Sequence, residues 1–398
     1  MNNQYRGPNT WNEYLAALEA TIPTIEAIAV TEYYITDTYE QVLAEKQRGR
    51  LPAVKLVFPN IELRLDVAAR GGFVNVHLFV SPEDADHVEQ LRRLLMRLRF
   101  RAFRDRFDCT RTELIRLGRK ADPSIVDDAR ALTHGASQFK VNFNELRDVV
   151  GESAWAEKNI LVAVAGSATD GTSGVREAAD KTIREEIEKF ADVIFASSIA
   201  QREYWLGERN LSVDQIRKHY NSLKPCLHGS DAHKLTDVGL PFGDRYSWIK
   251  GGLEFDALRQ ACIDPAGRAF VGPEPPPLAT PSQVIAGIRI RNAAWATTPD
   301  IPLNPGLVAI IGARGSGKTA LAEMIAAGCD AIPETIWEEN LRTTPSFLAR
   351  ARPLIGQARV ELTWASGSVT ARSLDGSGAN DPFSSPHARY LSQQFVED

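Results

Sequence analysis

The chain contains no uninterrupted apolar run of 18 residues, so nothing in it reads as a membrane-spanning helix. Its first residues lack the apolar core of a secretory signal. Cysteine is sparse: Cys109, Cys226, Cys262 and Cys329 stand singly, and no C-x-x-C occurs. That excludes the common structural-zinc and redox-pair spacings and predicts free thiols in a reducing cytoplasm. An excess of basic charge is missing too. Lys and Arg total 46 against 51 Asp and Glu, a formal net charge of −5, so no overall field draws the protein to nucleic acid. Internal repeats are absent. What is there is a chain of 398 residues, 43% hydrophobic and 24% charged, which reads as globular and too long for one ordinary domain.

Proline marks the boundary. "GPEPPPLATPSQ", residues 272–283, cannot continue a helix or a central strand, because each proline fixes φ and removes a donor. It reads as a linker between a domain over 1–271 and another over 284–398. "SLDGSGANDPFSSPHA", 373–388, reads as a loop. Before the linker, "AIAV" (27–30), "AVKLVFP" (53–59), "FVNVHLFV" (73–80), "NILVAVAG" (159–166), "DVIFASS" (192–198) and "KPCLHGSD" (224–231) read as buried strands. Amphipathic helices such as "TWNEYLAALEA" and "SGVREAADKTIREEIEKFA" lie between them. This alternation predicts an α/β domain with a parallel sheet or barrel, whose chemistry sits at the C-terminal strand ends. After the linker, "QVIAGIRIRNAAWA" reads as strand material and "ARVELTWASGSVTARSL" as a hairpin turning at Ser366-Gly367.

"GARGSGKT", Gly312 to Thr319, fits G-x-x-x-x-G-K-[ST] between an apolar run that reads as a strand ending at Ile311 and a helix beginning near Gly317. Gly312, Arg314, Gly315, Ser316, Gly317 and Ala320 would bring backbone N–H groups around phosphate oxygens. Lys318 would reach the β- and γ-phosphates of ATP, and Thr319 would ligate Mg²⁺. No hydrophobic strand ending in Asp or Glu follows, as hydrolysis would need.

A second set is scattered along the first domain. Glu62 in "PNIELRL", His77 in "VNVHLFV" and the Asp231–His233 pair in "HGSDAHKLTDVG" are carboxylate and imidazole groups at expected strand ends, as is Glu32. Together they suit Zn²⁺, Mn²⁺ or Fe²⁺, which would activate water and stabilise a phosphate in transfer. Singly, His77 also reads as a hydrogen-bonded core histidine and Glu62 as the partner of an arginine. His228 reads as a neighbour of the pair, and Asp237 as a loop or cap residue.

Several stretches carry a resemblance: "CTRTELIRLGR", "SQFKVNFNEL", "AVAGSATDGTSGV", "QREYWLG", "LKPCLHGSDAHKL", "RYSWIKGGLEFDALRQ" and the phosphate loop. Region 9–271 resembles the PHP (polymerase and histidinol phosphatase) domain, and nearly the whole chain resembles the TrlF-like PHP–ATPase family. The resemblance implies a distorted (β/α)7 barrel followed by the N-terminal part of an ABC/SMC-like P-loop ATPase. It implies metal at Glu32, Glu62, His77, Asp231 and His233, with Asp231 and His233 also catalytic. The ending "RYLSQQFVED" resembles a Q-loop, with Gln393, or Gln394, reaching the nucleotide's metal. The later ATPase motifs are absent, so the chain is expected to be the first part of a longer protein, weak as an ATPase alone. Such heads pair, which implies a homo-oligomer. A bacterial antiphage system has this architecture, so the resemblance implies defence, with DNA or nucleotides as partners.

The departures are specific. No H-x-H precedes the first strand, Thr31-Glu32-Tyr33 stands where the family has Thr-Asp-His, and Ser197 and Ser198 stand near a further expected histidine. Two readings follow: an ATP-controlled phosphoesterase or nuclease, or a non-catalytic PHP scaffold on an ATPase that senses or clamps DNA. Residues 92–120 add eleven Lys or Arg with Phe100, Phe103 and Phe107 interleaved. That strip reads either as a nucleic-acid track or as the solvated face of an amphipathic helix, with Leu91, Leu94, Leu95 and Leu98 inward, followed by a short strand; the second is preferred. "TRTE", 110–113, reads as a capping box.

Overall fold

The computed structural model describes residues 7–69, 72–166, 181–196, 198–230, 232–276, 280–332, 346–377 and 388–391. The chain divides into two compact units, Met1–Pro275 and Pro276–Asp398, and the division falls inside the proline-rich stretch.

In the first unit the strands are β1 (Ala27–Tyr33), β2 (Leu56–Ala69), β3 (Gly72–Val80), β4 (Arg99–Ala102), β5 (Asp105–Asp108), β6 (Ile160–Ala165), β7 (Val193–Phe195), β8 (Glu208–Arg209), β9 (Leu211–Ser212), β10 (Cys226–Leu227), β11 (Tyr246–Ile249) and β12 (Ala269–Gly272). Six of them make one sheet in the order β1-β2-β3-β6-β7-β10. β1 runs parallel to β2, and β6, β7 and β10 run parallel to one another. β3 is antiparallel to both of its neighbours. The domain is therefore mixed α/β, and among the described residues no pairing joins β10 back to β1. The antiparallel strand departs from the expected parallel order for a simple reason. Only residues 70 and 71 separate β2 from β3, and a parallel return needs a crossover of a dozen residues or more.

The sheet has two different faces. On one, Ile61, Leu63, Leu65, Val74, Val76, Leu78, Ile160, Val162, Val164 and Ile194 join the largest buried cluster. Helices His87–Met96, Arg111–Ala121, Phe143–Gly151 and Lys181–Phe190 contribute Leu91, Leu94, Leu114, Leu117, Leu146 and Ile187 to it. On the other face, Phe58, Phe79, Leu161, Ala163, Val193 and Leu227 pack against Phe255 and Leu258 around helix Asp256–Ile263. That apolar layer covers only the lower part of the second face. The rows above it are polar and hold the candidate site.

Local signals read from the sequence account for several elements. Thr110 caps helix Arg111–Ala121 by accepting the Glu113 N–H, but the expected capping box is only half formed: the Glu113 carboxylate accepts from Arg116, and the Thr110 N–H donates to the Asp108 carbonyl. The β15–β16 hairpin of the second unit (Arg359–Trp364 and Val369–Ser373) turns at Ser366-Gly367, with Gly367 at φ 84°. With β13 (Ile285–Arg291) and β14 (Asp300–Pro302) it forms an antiparallel sheet in the order β14-β13-β15-β16. Helices Lys318–Gly328 and Phe347–Ile355 complete that core with Met324 and Leu348 on Ile288, Val360 and Leu362.

One expected element does not form. Residues 306–311, read as the strand leading into the phosphate loop, enter no ladder, and Leu307 and Ile311 are 93% and 89% exposed. A strand is stable only where a neighbour takes its N–H and C=O groups, and no described strand of this sheet does so.

Helices Arg111–Ala121 and Asp128–Gln138 touch backbone to backbone. A Cβ on Gly118 would lie 1.9 Å from the Ala131 carbonyl oxygen, and one on Gly135 1.8 Å from that of Leu114. Gly118→Ala is expected to destabilise the protein by at least about 1–3 kcal/mol, read as a lower urea midpoint at unchanged slope. Gly151→Ala, where nothing lies within 4 Å, is the matched control and should shift stability by no more than about 0.5 kcal/mol.

Candidate functional site

Side chains alternate across a strand, so the register of the sheet decides which polar groups meet. Glu62 of β2 stands directly opposite His77 of β3, and Asn60 and Arg64 flank Glu62 on the same face. Tyr33 at the end of β1 is the register partner of Glu62. The result is a polar patch above the apolar layer, at the end of the sheet where β1 and β6 finish.

Each group in the patch is held by another. Tyr33 donates its hydroxyl to Glu62 Oε1 at 2.7 Å, and Asn75 donates its amide to the same oxygen. Arg64 donates to the Tyr33 hydroxyl at 3.1 Å, with its guanidinium 4.6 Å from the ring centroid. Burial, then the Glu62 charge, pushes the Tyr33 phenol up to about 12, so it stays a donor at neutral pH. Asn60 gives its amide to Thr31 Oγ1 at 2.7 Å and turns its oxygen to His77 Nδ1 at 3.2 Å. That orientation assigns the proton to Nδ1 and the lone pair to Nε2 of His77. Burial lowers the His77 pKa, with Glu62 pulling the other way. The Phe195 ring stands edge-on to the imidazole at 4.9 Å.

The expected ligands divide. Glu62 and His77 are brought together. Glu32 is not: it is paired with Ile61 in register and so faces the opposite side of the sheet. Its two oxygens accept the N–H groups of Tyr39 and Thr38 at 3.0 Å each. These are the second and third residues of helix Asp37–Gln47, and the Thr36 side chain makes no capping bond there, so Glu32 is the cap. Its pKa is raised by burial, against the pull of those N–H groups. Asp231 lies outside the described residues, as do Ser197 and Gln393. His233 is exposed. His228 is tied through its backbone, its N–H and C=O both bonded to Ser247 Oγ at 2.7 and 2.9 Å. Ser198 caps helix Ile199–Trp205 through the Gln201 N–H. Asp237 closes a short 3-10 turn and accepts from Thr236.

A metal can be tested against this geometry. Among the described residues no three His, Cys, Asp or Glu side chains stand close enough to share an ion. Glu62 and His77 fit as two ligands of one divalent ion: a carboxylate opposite an imidazole with a fixed tautomer. Beside them Asn75, 7% exposed, leaves its side-chain oxygen without a hydrogen-bond partner. Tyr33 was noted only as standing where the family has a histidine, and Asn60, Arg64 and Asn75 were not singled out from sequence. Their signal was there, as polar residues at every second position in "NIELR" and "NVH" between buried apolar ones.

In the second unit the loop 312–317 precedes helix Lys318–Gly328. Gly315 and Gly317 sit at φ 82° and 88°, a left-handed conformation that side chains with a Cβ adopt at a cost. Lys318 folds back to donate to the carbonyls of Gly312 and Ala313 at 2.8 and 2.9 Å. Arg314, Ser316 and Thr319 are exposed, and Ala320 packs into the core. The helix start therefore offers unsatisfied N–H groups and a lysine that can turn to an anion. Three residues past Ala320, Glu323 is 2% exposed and accepts from Ser346 Oγ and the N–H groups of Phe347 and Leu348 at 2.9–3.0 Å, capping the next helix.

No protein-family model matches the chain, and no curated protein matches it. Among solved structures it is similar to a protein of Bifidobacterium adolescentis described as a candidate metal-dependent phosphoesterase, with 13% identity and a TM-score of 0.30 over 63% of this chain and 90% of that one. No helix among the described residues is long and apolar enough to cross a membrane.

The cap and the ligand roles of the two glutamates separate by mutation. Glu32→Ala is expected to cost about 1 kcal/mol, the loss of a helix cap, with metal content unchanged; Glu32→Gln should retain most of that stability. Urea titration beside elemental analysis checks both.

Proposed function

We propose that the chain is an ATP-binding PHP–ATPase in which nucleotide binding controls a metal-dependent phosphoesterase or nuclease, acting on nucleic acid or nucleotides. The observation that carries the nucleotide half is the loop: left-handed glycines at 315 and 317, a helix starting at Lys318, and the Lys318 ammonium resting on two loop carbonyls. On binding, Lys318 leaves those carbonyls for the β- and γ-phosphates, the first helical N–H groups receive phosphate oxygens, and Thr319 presents its hydroxyl to Mg²⁺. Gln393 is assigned the Q-loop role by resemblance. So are pairing of the ATPase heads and a part in antiphage defence.

For the phosphoesterase half, Glu62 and His77 would hold the ion, with Asp231 and His233 as the remaining expected ligands. A bound Zn²⁺, Mn²⁺ or Fe²⁺ supplies an activated water and charge for the phosphate. The chain's own part is orientation. Asn60 keeps the lone pair on His77 Nε2, and Tyr33 and Asn75 hold Glu62 by one oxygen.

The scaffold reading has its own support. Glu62 already accepts two hydrogen bonds, and Glu32, a ligand by resemblance, is spent on a helix cap. Elemental analysis decides between them. One or more Zn, Mn or Fe per chain, lost in Asp231→Ala and in Glu62→Ala, supports the hydrolase; no metal in any of the three proteins supports the scaffold. Independently, Lys318→Ala is expected to weaken binding of a fluorescent ATP analogue by at least about tenfold, the equivalent of one charge-assisted hydrogen bond. Unchanged affinity would remove the nucleotide assignment.

A further inference from the structure

We propose that the β4–β5 hairpin is a contact for single-stranded nucleic acid, with a base stacked on Phe103 and phosphates met by Arg101 and Arg104. The basic strip 92–120 is not uniform once its partners are known. Arg92, Arg93, Arg97, Arg111, Arg116, Arg119 and Lys120 are each ion-paired, with Glu40, Glu89, Glu152, Asp37, Asp105 and Glu113, Asp128 and Asp105 respectively. Arg106 pairs with Asp108. Among the described residues no ion pair holds the Arg101 or Arg104 side chain, whereas Arg99 stands opposite Asp108 and its backbone N–H donates to Glu145 Oε2 at 3.2 Å. All three arginines lie on the hairpin, and all three are exposed. The preferred reading of the strip, a helix with a solvated basic face followed by a short strand, matches helix His87–Met96 and β4, and the two arginines without ion pairs lie on the hairpin that β4 begins.

The register separates the two sides of the hairpin. Phe100 and Phe107 form one cross-strand pair and pack inward, Phe107 fully buried. Arg101 stands opposite Arg106, with Arg99 two residues away on the same outward side. Like charges directly across a ladder repel and destabilise it. The turn is equally unfavourable. Phe103 and Arg104 both adopt left-handed backbone, φ 54° and 58°, where a two-residue hairpin turn favours Asn-Gly. Phe103 is 56% exposed at the tip. Repelling arginines, a strained turn and an exposed ring serve no purpose within this hairpin, and each is met by a flexible polyanion with aromatic bases. One ring is too little apolar area for a protein interface or a membrane anchor. With a net charge of −5, attraction of this kind has to be local.

The hairpin is also linked to the candidate site. Phe100 packs on Phe139 with ring centroids 5.5 Å apart, Phe139 on Tyr34 at 5.2 Å, and Tyr34 lies beside Tyr33 at 5.9 Å. Tyr33 bonds Glu62. A strand held on the hairpin thus deepens the proposed function by naming its macromolecular partner. It rests on that reading only for the purpose of the contact, because strand binding requires neither metal nor ATP.

Fluorescence anisotropy of labelled mixed-sequence 20-mers, titrated with the full chain at several salt concentrations, tests it. Arg101→Glu with Arg104→Glu should weaken single-strand binding more than tenfold and lower the salt slope by about 1.4, about 0.7 for each phosphate that no longer meets an arginine. Phe103→Ala should weaken it by roughly tenfold. Replacing the turn by Phe103→Asn with Arg104→Gly should raise the melting temperature while weakening binding, which separates a binding defect from an unfolding one. The titrations are run in EDTA and without ATP, so failure of the metal or nucleotide assignments leaves this result readable. The proposal is overturned by equal binding in wild type and hairpin variants, by no strand binding at low salt, or by equal affinity for the matching duplex. Hairpin-dependent binding to phosphatidylserine vesicles without strand binding would overturn it in favour of a membrane contact.

Discussion

The antiparallel register of β2 on β3 is the constraint on which the first unit depends. Because side chains alternate, a slip of one residue would turn Glu62 into the apolar cluster and bring Ile61 or Leu63 out. What prevents the slip is hydrophobic. Ile61, Leu63, Val76 and Leu78 are fully buried on the far face, each contributing about 1.5–3 kcal/mol relative to exposure. A shifted ladder would lose all four at once. The placement of Glu62 opposite His77 is therefore enforced by apolar residues on the other face of the sheet, and the polar face inherits its precision from the apolar one.

Given that register, the polar groups restrain one another. The chain Thr31–Asn60–His77 fixes a tautomer, and Arg64–Tyr33–Glu62–Asn75 fixes a carboxylate. Such pairs serve a metal centre and a rigid core equally well, since both need every buried polar atom oriented. Two details tilt the balance toward a ligand: an imidazole kept neutral by burial and the unpartnered oxygen of Asn75. A purely structural network has no reason to leave a buried acceptor open, because an unsatisfied polar group costs about 1–3 kcal/mol.

Much of this was legible in the sequence, and the failures share a cause. Runs with a clear period gave their elements: β3, β6, β13 and the β15–β16 hairpin lie where alternation and turn residues put them. The strand read at 53–59 runs on to Ala69, so the apparent room for a crossover before residue 73 is strand, and the βα rhythm around it wrongly suggested a parallel sheet. Glu62 and His77 could be named as residues but not as a pair, since register is a property of two strands. Glu32 was misleading because a carboxylate at a strand end looks the same whether it faces a metal or the N–H groups of the next helix. Only the side of the sheet distinguishes the two, and Tyr33, one residue later, occupies the side that Glu32 does not. Glu323 makes the same point, being a buried acid among donors from Ser346, Phe347 and Leu348.

Carboxylates placed as caps also bear on the phosphate loop. Helix Lys318–Gly328 is anchored along its length by Glu323 and by Ala320 and Met324 in the core, while its first turn and the preceding glycines stay open. A helix held firmly at its middle keeps its N–H groups aimed without help from a ligand, so an anion arriving there meets donors already oriented. In the proposed nucleotide complex the lysine is the part that would move, since its bonds to Gly312 and Ala313 are to neutral carbonyls. Exchanging those for phosphate oxygens would replace weaker acceptors by charged ones. Under that proposal the helix would supply rigidity and a single side chain the movement.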